Sequence, residues 1–378
     1  KAELIGESYA AHREFAGVSM YFQKFGISAE YALKLYKNYG KDAPELIREN
    51  PYRLVEEVSG IGFHKADRIA EKMGIDPESS FRIKSGIKYG LLYYAGEGST
   101  YVPQQELCEK VCAMLDVSSE LIYENLVEMA FEGEVQLDTL KGQTVVYLYA
   151  YYFAEQRVCR NIAGLVHASL KSLSVDIDSM IKMTCGQTGI TLSEQQSEAV
   201  KSSLTGGVSV ITGGPGTGKT TIINTLINIF EQSGFKTAIA APTGRAAKRI
   251  TETSGHYAST VHRLLEYYHA ADEDTMRFGK NSEDPLDYDV VIVDEASMID
   301  LMLMQGLTDA LKEGTQLILV GDYDQLPSVG AGNVLRDLIE SEYVHTVMLT
   351  EIFRQARESM IVVNAHRINQ GEYPFLNG

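Results

Sequence analysis

The sequence predicts a multidomain chain of mixed class, helical at first and α/β thereafter. Three observations carry this. Residues 1–95 read as short amphipathic helices broken by Gly, Pro and Asn, as at Gly40, Asn50-Pro51 and Gly60–Gly62. Residues 99–149 read as a short strand, two helices and two β-rich runs separated by Gly142. From about residue 190, apolar strand patterns alternate with helical ones, which calls for a mainly parallel sheet. A length of 378 residues suits two to four domains, at roughly 100–200 residues each.

Composition excludes several classes. The net charge is −17, with 34 Lys/Arg against 51 Asp/Glu, which argues against indiscriminate binding to polyanions. It leaves room for binding through backbone amides, helix N-termini and a few placed cations. The distribution is uneven: residues 1–100 carry 14 Lys/Arg and 14 Asp/Glu, residues 101–150 carry 2 and 9. Four cysteines are too few for a disulfide scaffold and predict a reducing, cytoplasmic setting. Cys108 and Cys112 stand i, i+4 on a predicted helix, but no further Cys or His pair completes a zinc site, so core packing is the better reading. Apolar runs such as Val208–Thr212 and Val290–Val293 fall far short of the roughly 18 residues of a membrane span. Lys1–Phe15 is too polar for a secretory signal. The chain opens at Lys1 and stops at Gly378 without an evident closing element, so both ends read as boundaries within a longer protein.

The first module carries a motif. Val58-Ser59-Gly60-Ile61-Gly62-Phe63-His64-Lys65-Ala66-Asp67-Arg68-Ile69-Ala70 fits the helix-hairpin-helix pattern h-x-G-h-G-x-x-x-A-x-x-h-A. Gly60 and Gly62 would let backbone amides meet a DNA phosphate, Ala66 and Ile69 would pack the helices, and Lys65 with Arg68 would assist. Such contacts read no bases and need no basic domain. Phe25-Gly26-Ile27 with Ala29 and Ala32 looks like a degenerate second copy. For both, a purely structural αα-hairpin is the alternative. Next, Ser99–Val102, Gln104–Leu115, Ser119–Phe131, Glu134–Asp138 and Thr144–Tyr149 have the layout of a winged helix. Residues 151–190 read as a connecting helix, and the aromatic run Tyr147–Phe153 as core rather than a base-stacking platform.

The most specific signal is Gly213-Gly214-Pro215-Gly216-Thr217-Gly218-Lys219-Thr220, a complete G-x-x-x-x-G-K-[ST]. Phosphates need inward-pointing amides, and glycines permit that turn. Lys219 would reach the β- and γ-phosphates, Thr220 would ligate Mg²⁺, and Thr221 follows on the opening helix. The apolar strand Val290–Val293 ends in Asp294-Glu295. There Asp294 can hold Mg²⁺ through water while Glu295 orients or deprotonates the attacking water. The two motifs together predict NTP hydrolysis with Mg²⁺.

With these in place, further segments fall into order: Leu192–Gln196, Ala241-Pro242-Thr243-Gly244-Arg245-Ala246-Ala247-Lys248-Arg249, Thr260-Val261-His262-Arg263-Leu264, Gly321–Gly330, and Leu349-Thr350-Glu351-Ile352-Phe353-Arg354-Gln355. Across residues 190–370 the chain resembles the RecD-like branch of superfamily 1 helicases, the exodeoxyribonuclease V alpha-subunit family. The resemblance implies a RecA-like P-loop domain and the start of a second one. It implies Gln196 as a contact to adenine, Asp322 and Gln325 as γ-phosphate sensors, and Arg354 as an arginine finger. It implies Pro242, Thr243, Gly244 and Arg245, then Thr260 and His262, as contacts to single-stranded DNA. It also implies that the acidic segment Ala271–Asp274, between two β-like runs, tips a pin hairpin that splits the duplex. The bland readings are a solvated loop for the hairpin, a surface Arg for Arg354 and a satisfied structural residue for His262.

The expected domains are therefore 1–95 (helix-hairpin-helix), 96–150 (winged helix), 151–190 (connecting helix), 191–345 (first RecA-like domain, insertion about 265–287) and 346–378 (start of a second). The expected activity is that of a DNA helicase moving 5′→3′ in repair or recombination. Its partners would be single-stranded DNA and junctions with duplex, and the acting unit a monomer; a nuclease or single-strand-binding partner stays open. Rival readings are another P-loop DNA ATPase, such as a recombinase or loader, and a DNA- or partner-binding module with a vestigial ATPase. Ending 24 residues after Arg354 (378 − 354), this stretch alone is expected to bind nucleotide weakly and not to unwind DNA.

Overall fold

The computed structural model describes residues 2–58, 60–173, 176–269, 276–353, 360–369 and 371–375. They fall into two compact units, Lys1–Ala95 with Tyr101–Tyr149, and Gly96–Thr100 with Ala150–Gly378.

The first unit opens with helices α1 (Ala2–Gln23), α2 (Ala29–Tyr39), α3 (Ala43–Glu49), α4 (Arg53–Glu57) and α5 (Phe63–Met73). Ser28 caps α2 by accepting from Tyr31 N, and Gly74 ends α5 in the left-handed conformation that costs glycine least. There follow α6 (Ser80–Gly96), β1 (Tyr101–Pro103), α7 (Gln104–Leu115), α8 (Ser119–Phe131), β2 (Val135–Leu140) and β3 (Gln143–Leu148). The three strands form an antiparallel sheet in the order β1-β3-β2, so this is a winged-helix arrangement. Lys141 (φ 51°) and Gly142 (φ 80°) make the two-residue turn of the wing.

The expected boundary near residue 95 does not separate two cores. One apolar core runs from Val18 and Phe22 through Ile83 and Ile87 to Leu126 and Val146. Glycine makes this contact possible: a Cβ at Gly86 would lie 2.7 Å from Leu115 Cδ1, and one at Gly90 would lie 3.1 Å from Leu107 Cδ1. Helix α7 sits on that bare stripe of α6.

The second unit contains α9 (Tyr149–His167), α10 (Ile177–Thr188), α11 (Glu194–Thr205), β4 (Val208–Gly213), α12 (Lys219–Gln232), β5 (Thr237–Ala241), α13 (Gly244–Ser254), β6 (Ser259–Thr260) and α14 (Val261–Leu264). It continues with β7 (Tyr267–His269), β8 (Met276–Phe278), β9 (Val290–Val293), α15 (Leu301–Asp309), β10 (Gln316–Gly321), α16 (Val334–Glu340), β11 (His345–Leu349) and α17 (Met360–Asn369). Six strands form one parallel sheet in the order β11-β4-β10-β9-β5-β6. Period-two alternation assigns its side chains to two cores. Val208, Val210, Val291, Val293, Leu317 and Leu319 join one cluster, while Ile211, Val290, Ile292, Ile318 and Val320 join the other. Both faces are covered by helices, which is why these strands are apolar throughout.

Two expected boundaries need correction. The single connecting helix over 151–190 is two helices, and neither merely connects. Helix α9 buries Ala154, Val158, Ile162 and Leu165 in one cluster, and α10 buries Met180 and Ile181 in the other. A second α/β layer cannot begin at 346, because β11 pairs with β4 from His345↔Ser209 to Leu349↔Gly213 and belongs to the first sheet. The expected hairpin exists at its base, where β7 and β8 pair from Tyr267↔Phe278 to His269↔Met276. Its acidic tip, 271–274, lies outside the described residues. Among the described residues no helix is long and apolar enough to cross a membrane, no His/Cys/Asp/Glu group is arranged to hold a metal on its own, and all four cysteines are free.

Candidate nucleotide site

Strand order brings the two phosphate-chemistry motifs together. Strand β10 lies between β4 and β9, in register Gly321↔Thr212 and Leu319↔Val293. The carboxyl ends of the three strands therefore set Gly213, Asp322 and Asp294 side by side. This is where ligands bind in open parallel sheets.

After β4, Gly216 (φ +82°) and Gly218 (φ +85°) take left-handed conformations that let the chain turn into α12. A Cβ at Gly218 would collide with Gln196 Nε2. Thr217 Oγ1 donates to Gly214 O at 2.9 Å, and Lys219 Nζ donates to Gly213 O and to Gly214 O. A cavity of about 770 Å³ opens beside this loop. Gly214, Pro215, Gly216, Thr217, Gly218, Lys219, Thr220 and Thr221 line it, together with Gln196, Asp294, Glu295 and Gln325. Gly213 lies beneath, holding Lys219 by its carbonyl.

Burial pushes the Lys219 ammonium below its ordinary pKa, against the pull of Asp322, Asp294 and Glu295. Burial and the charge of Glu295 push Asp294 up, while the Glu295 amide, Lys219 and Arg249 oppose the rise. A half-buried lysine facing half-buried Asp294 and Glu295 and buried Asp322 is a charge set short of a ligand. Triphosphate oxygens fit the lysine and a divalent cation fits the carboxylates. Glu295 follows β9 at φ 54°, a costly conformation for a residue with a side chain, and its amide donates to Asp294 Oδ1 at 2.9 Å. Asp322 is buried, at 3% exposure, and its Oδ1 accepts from Asp324 N. The next amide, Tyr323 N, donates to Thr212 Oγ1, which ties the turn bearing Gln325 to the end of β4.

Gln196 lines the cavity, and its side-chain amide is engaged within the protein. It is 2% exposed and fills the third position of α11 in a capping box with Ser193. Its Oε1 accepts from Ser193 N and its Nε2 donates to Thr217 O at 3.2 Å. The amide thus buttresses the phosphate loop. Its neighbour Gln195 accepts from Thr350 N at 2.9 Å, and Phe353 N donates to Gly216 O at 3.2 Å. Together they fasten residues 350–353 beside the cavity. Gln195, Arg249 and Phe353 are the site residues that sequence reading missed. Arg249 could have been found, since it stands four residues after Arg245 on one helix.

These contacts mark a nucleotide site in a parallel α/β layer, and comparison with known proteins agrees. An "AAA domain" family model matches residues 191–376, and the model "ATP-dependent RecD2 DNA helicase HHH domain" matches 11–101. The ATP-dependent RecD2 DNA helicase of Deinococcus radiodurans is 32% identical over 365 residues, which is 93% of this chain and 49% of that one. The chain belongs to the RecD-like helicase family. It spans about half the length of the Deinococcus relative. The RecBCD enzyme subunit RecD of Mycolicibacterium smegmatis is 37% identical over 219 residues, 52% of this chain and 38% of that one. Pif1 helicase from Candida albicans overlaps 49% of this chain and 45% of its own at 25% identity, with a TM-score of 0.35.

Within this RecD-like chain, Thr243 caps α13 by accepting from Ala246 N, leaving Gly244 and Arg245 exposed and Pro242 half-buried. Thr260 caps α14 on the adjacent strand, in register with Ala241. Thr243 and Thr260 therefore sit at neighbouring strand ends. His262 meets Tyr267 edge-on, with ring centroids 5.1 Å apart, and so leans on the base of the hairpin. Arg354 lies outside the described residues. In the other unit, Gly60 (φ +94°) and Gly62 precede α5, Gly62 is exposed, and Lys65 lies 4.4 Å from the Tyr31 ring centroid.

Proposed function

We propose that the protein is an ATP-driven DNA helicase that moves 5′→3′ along single-stranded DNA and opens junctions in repair or recombination. The observation that carries this is the convergence of Lys219, Asp294, Glu295 and Gln325 on one cavity flanked by the exposed N-terminus of α13. The acting unit would be a cytoplasmic monomer.

In this reading the amides of Gly216–Thr220 cradle the β- and γ-phosphates, and Lys219 exchanges its two carbonyl partners for phosphate oxygens. Thr220 and Asp294 would hold Mg²⁺, the latter through water; when bound, the ion neutralises charge on the phosphate oxygens. Glu295 orients water for in-line attack. Gln325 registers the γ-phosphate and passes its loss to β4 through Tyr323 and Thr212. Arg354 would complete the charge as an arginine finger, an element worth about 10³–10⁵ in turnover. Gly244 and Arg245 at the start of α13 would grip one DNA phosphate, while Thr260 and His262 take another. The hairpin of β7 and β8 would part the strands. Gly60, Gly62 and Lys65 would hold duplex backbone. The domains would be one helix-hairpin-helix and winged-helix unit up to Tyr149 and a first ATPase layer from Ala150 to Leu349, with the second ATPase layer starting beyond Leu349.

The test is unwinding of 5′- and 3′-tailed duplexes by the intact protein, with ATP turnover followed in parallel. Activity confined to 5′-tailed substrates supports the reading; unwinding from 3′ tails, or turnover indifferent to DNA, rejects it.

A further inference from the structure

In a helix-turn-helix DNA reader, the helix corresponding to α8 lies in the major groove. On this chain α8 has another character. Tyr123, Val127 and Phe131 are spaced i, i+4, i+8 and form one stripe, with exposures of 40%, 48% and 87%. Beside it run Glu120, Glu124, Glu128 and Glu132 at the same spacing, all exposed. Ser119–Phe131 contains no Lys or Arg. Lys84 of α6 reaches Glu132 at 2.7 Å and Glu128 at 3.3 Å, whereas Glu120 and Glu124 make no ion pair among the described residues.

This surface selects its occupant by charge. A duplex seated on α8 would press phosphates toward a row of carboxylates, with no cation on the helix to offset them. A second copy meeting through the same face would set glutamates against glutamates. A helix with an apolar stripe and Lys or Arg along one flank would bury Val127 and Phe131 and pair with Glu120 and Glu124. We propose that α8 of the winged-helix module docks a basic amphipathic helix of a partner protein and does not read DNA.

The test uses the intact protein and a fluorescent synthetic Leu/Lys amphipathic helix, followed by anisotropy. An oligolysine of equal charge is the control for general attraction to an acidic chain. The Leu/Lys helix should bind saturably and more tightly than oligolysine by about tenfold or more, and Phe131→Ser and Glu124→Lys should each weaken it about tenfold. Both positions are exposed, and circular dichroism confirms that the variants fold. Equal binding of the two peptides, or variants that bind as the parent does, overturns the proposal. So does a loss of duplex affinity in Phe131→Ser, which would make α8 a DNA reader. Loss of a dimer in the same variant would make it a self-association face, and is equally fatal.

Discussion

At the scale of single residues, the cavity beside the phosphate loop separates cations by what they face. Lys219 is half-buried on the cavity wall, and its removal should leave the fold and DNA affinity intact. Lys219→Ala should lower ATP turnover by about 10²-fold or more, the usual cost of losing a preorganised group that stabilises transition-state charge. DNA-stimulated hydrolysis at the parent rate in that variant would reject the assignment. Arg249 is a second cation on the cavity wall, close enough to Lys219 and Asp294 to affect both. A charge-assisted contact to phosphate is worth roughly 1.5–3 kcal/mol, so Arg249→Gln should reduce kcat/KM for ATP by about 10–100-fold. Its positive charge holds Asp294 down, so the acid limb of the turnover profile should move to higher pH in the same variant. An unmoved acid limb would place Arg249 outside the electrostatics of the site.

At the scale of the element, the helix-hairpin-helix separates its two glycines. A Cβ at Gly60 would meet Tyr31 Oη at 2.9 Å in a left-handed conformation, so Gly60→Ala should cost about 1–2 kcal/mol of stability whatever the hairpin binds. A Cβ at Gly62 would meet nothing within 4 Å, and the residue has an ordinary φ of −86°. Gly62→Val should therefore fold normally and lose affinity for duplex or junction DNA, with basal ATP turnover unchanged. Full DNA affinity in folded Gly62→Val would return the hairpin to a structural part. Helix α5 also carries a pH response. Asp67 accepts from Tyr52 Oη at 2.6 Å and Arg82 Nε at 2.8 Å. Burial opposes its charge, but these two donors hold the carboxyl below its ordinary value. An acid with a depressed folded pKa contributes stability that is full above the unfolded value, about 4, and drains away as pH falls through the folded one. Hydrogen-exchange protection at Ile69 and Ala70, taken relative to the intrinsic amide rate at each pH, should fall on acidification below about pH 4. In Asp67→Asn that loss of protection should be much smaller; an identical acid response in the variant would assign it to other groups.

At the scale of the whole molecule, ATP turnover and strand separation are predicted to be separable. Phe278 seats the hairpin on α15, where a Cβ at Gly306 would lie 2.5 Å from its ring. Phe278→Ala should loosen that seat while leaving the cavity untouched. Single-strand-stimulated ATP hydrolysis should persist, and base pairs opened per ATP should fall severalfold. Equal coupling in parent and variant would remove the hairpin from the unwinding step.

How much of this was legible in the sequence depended on the range of the physics involved. The phosphate loop, the strand before it, the helix after it and the carboxylates after Val293 follow from local rules: glycines that permit positive φ, apolar runs and polar strand ends. The helix-hairpin-helix and the wing turn at Gly142 were readable for the same reason, and so was family membership. Tertiary structure alone decided the rest. That β10 slots between β4 and β9, that β11 closes the first sheet rather than opening a second, and that α9 and α10 cover opposite faces are consequences of pairing over long separations. Nor does any local window show that Gln196 spends its amide on Thr217, or that α6 and α7 interlock at Gly86 and Gly90. Strand order and packing are settled by what buries the most apolar surface with every backbone group paired, a property of the whole chain that no short segment contains.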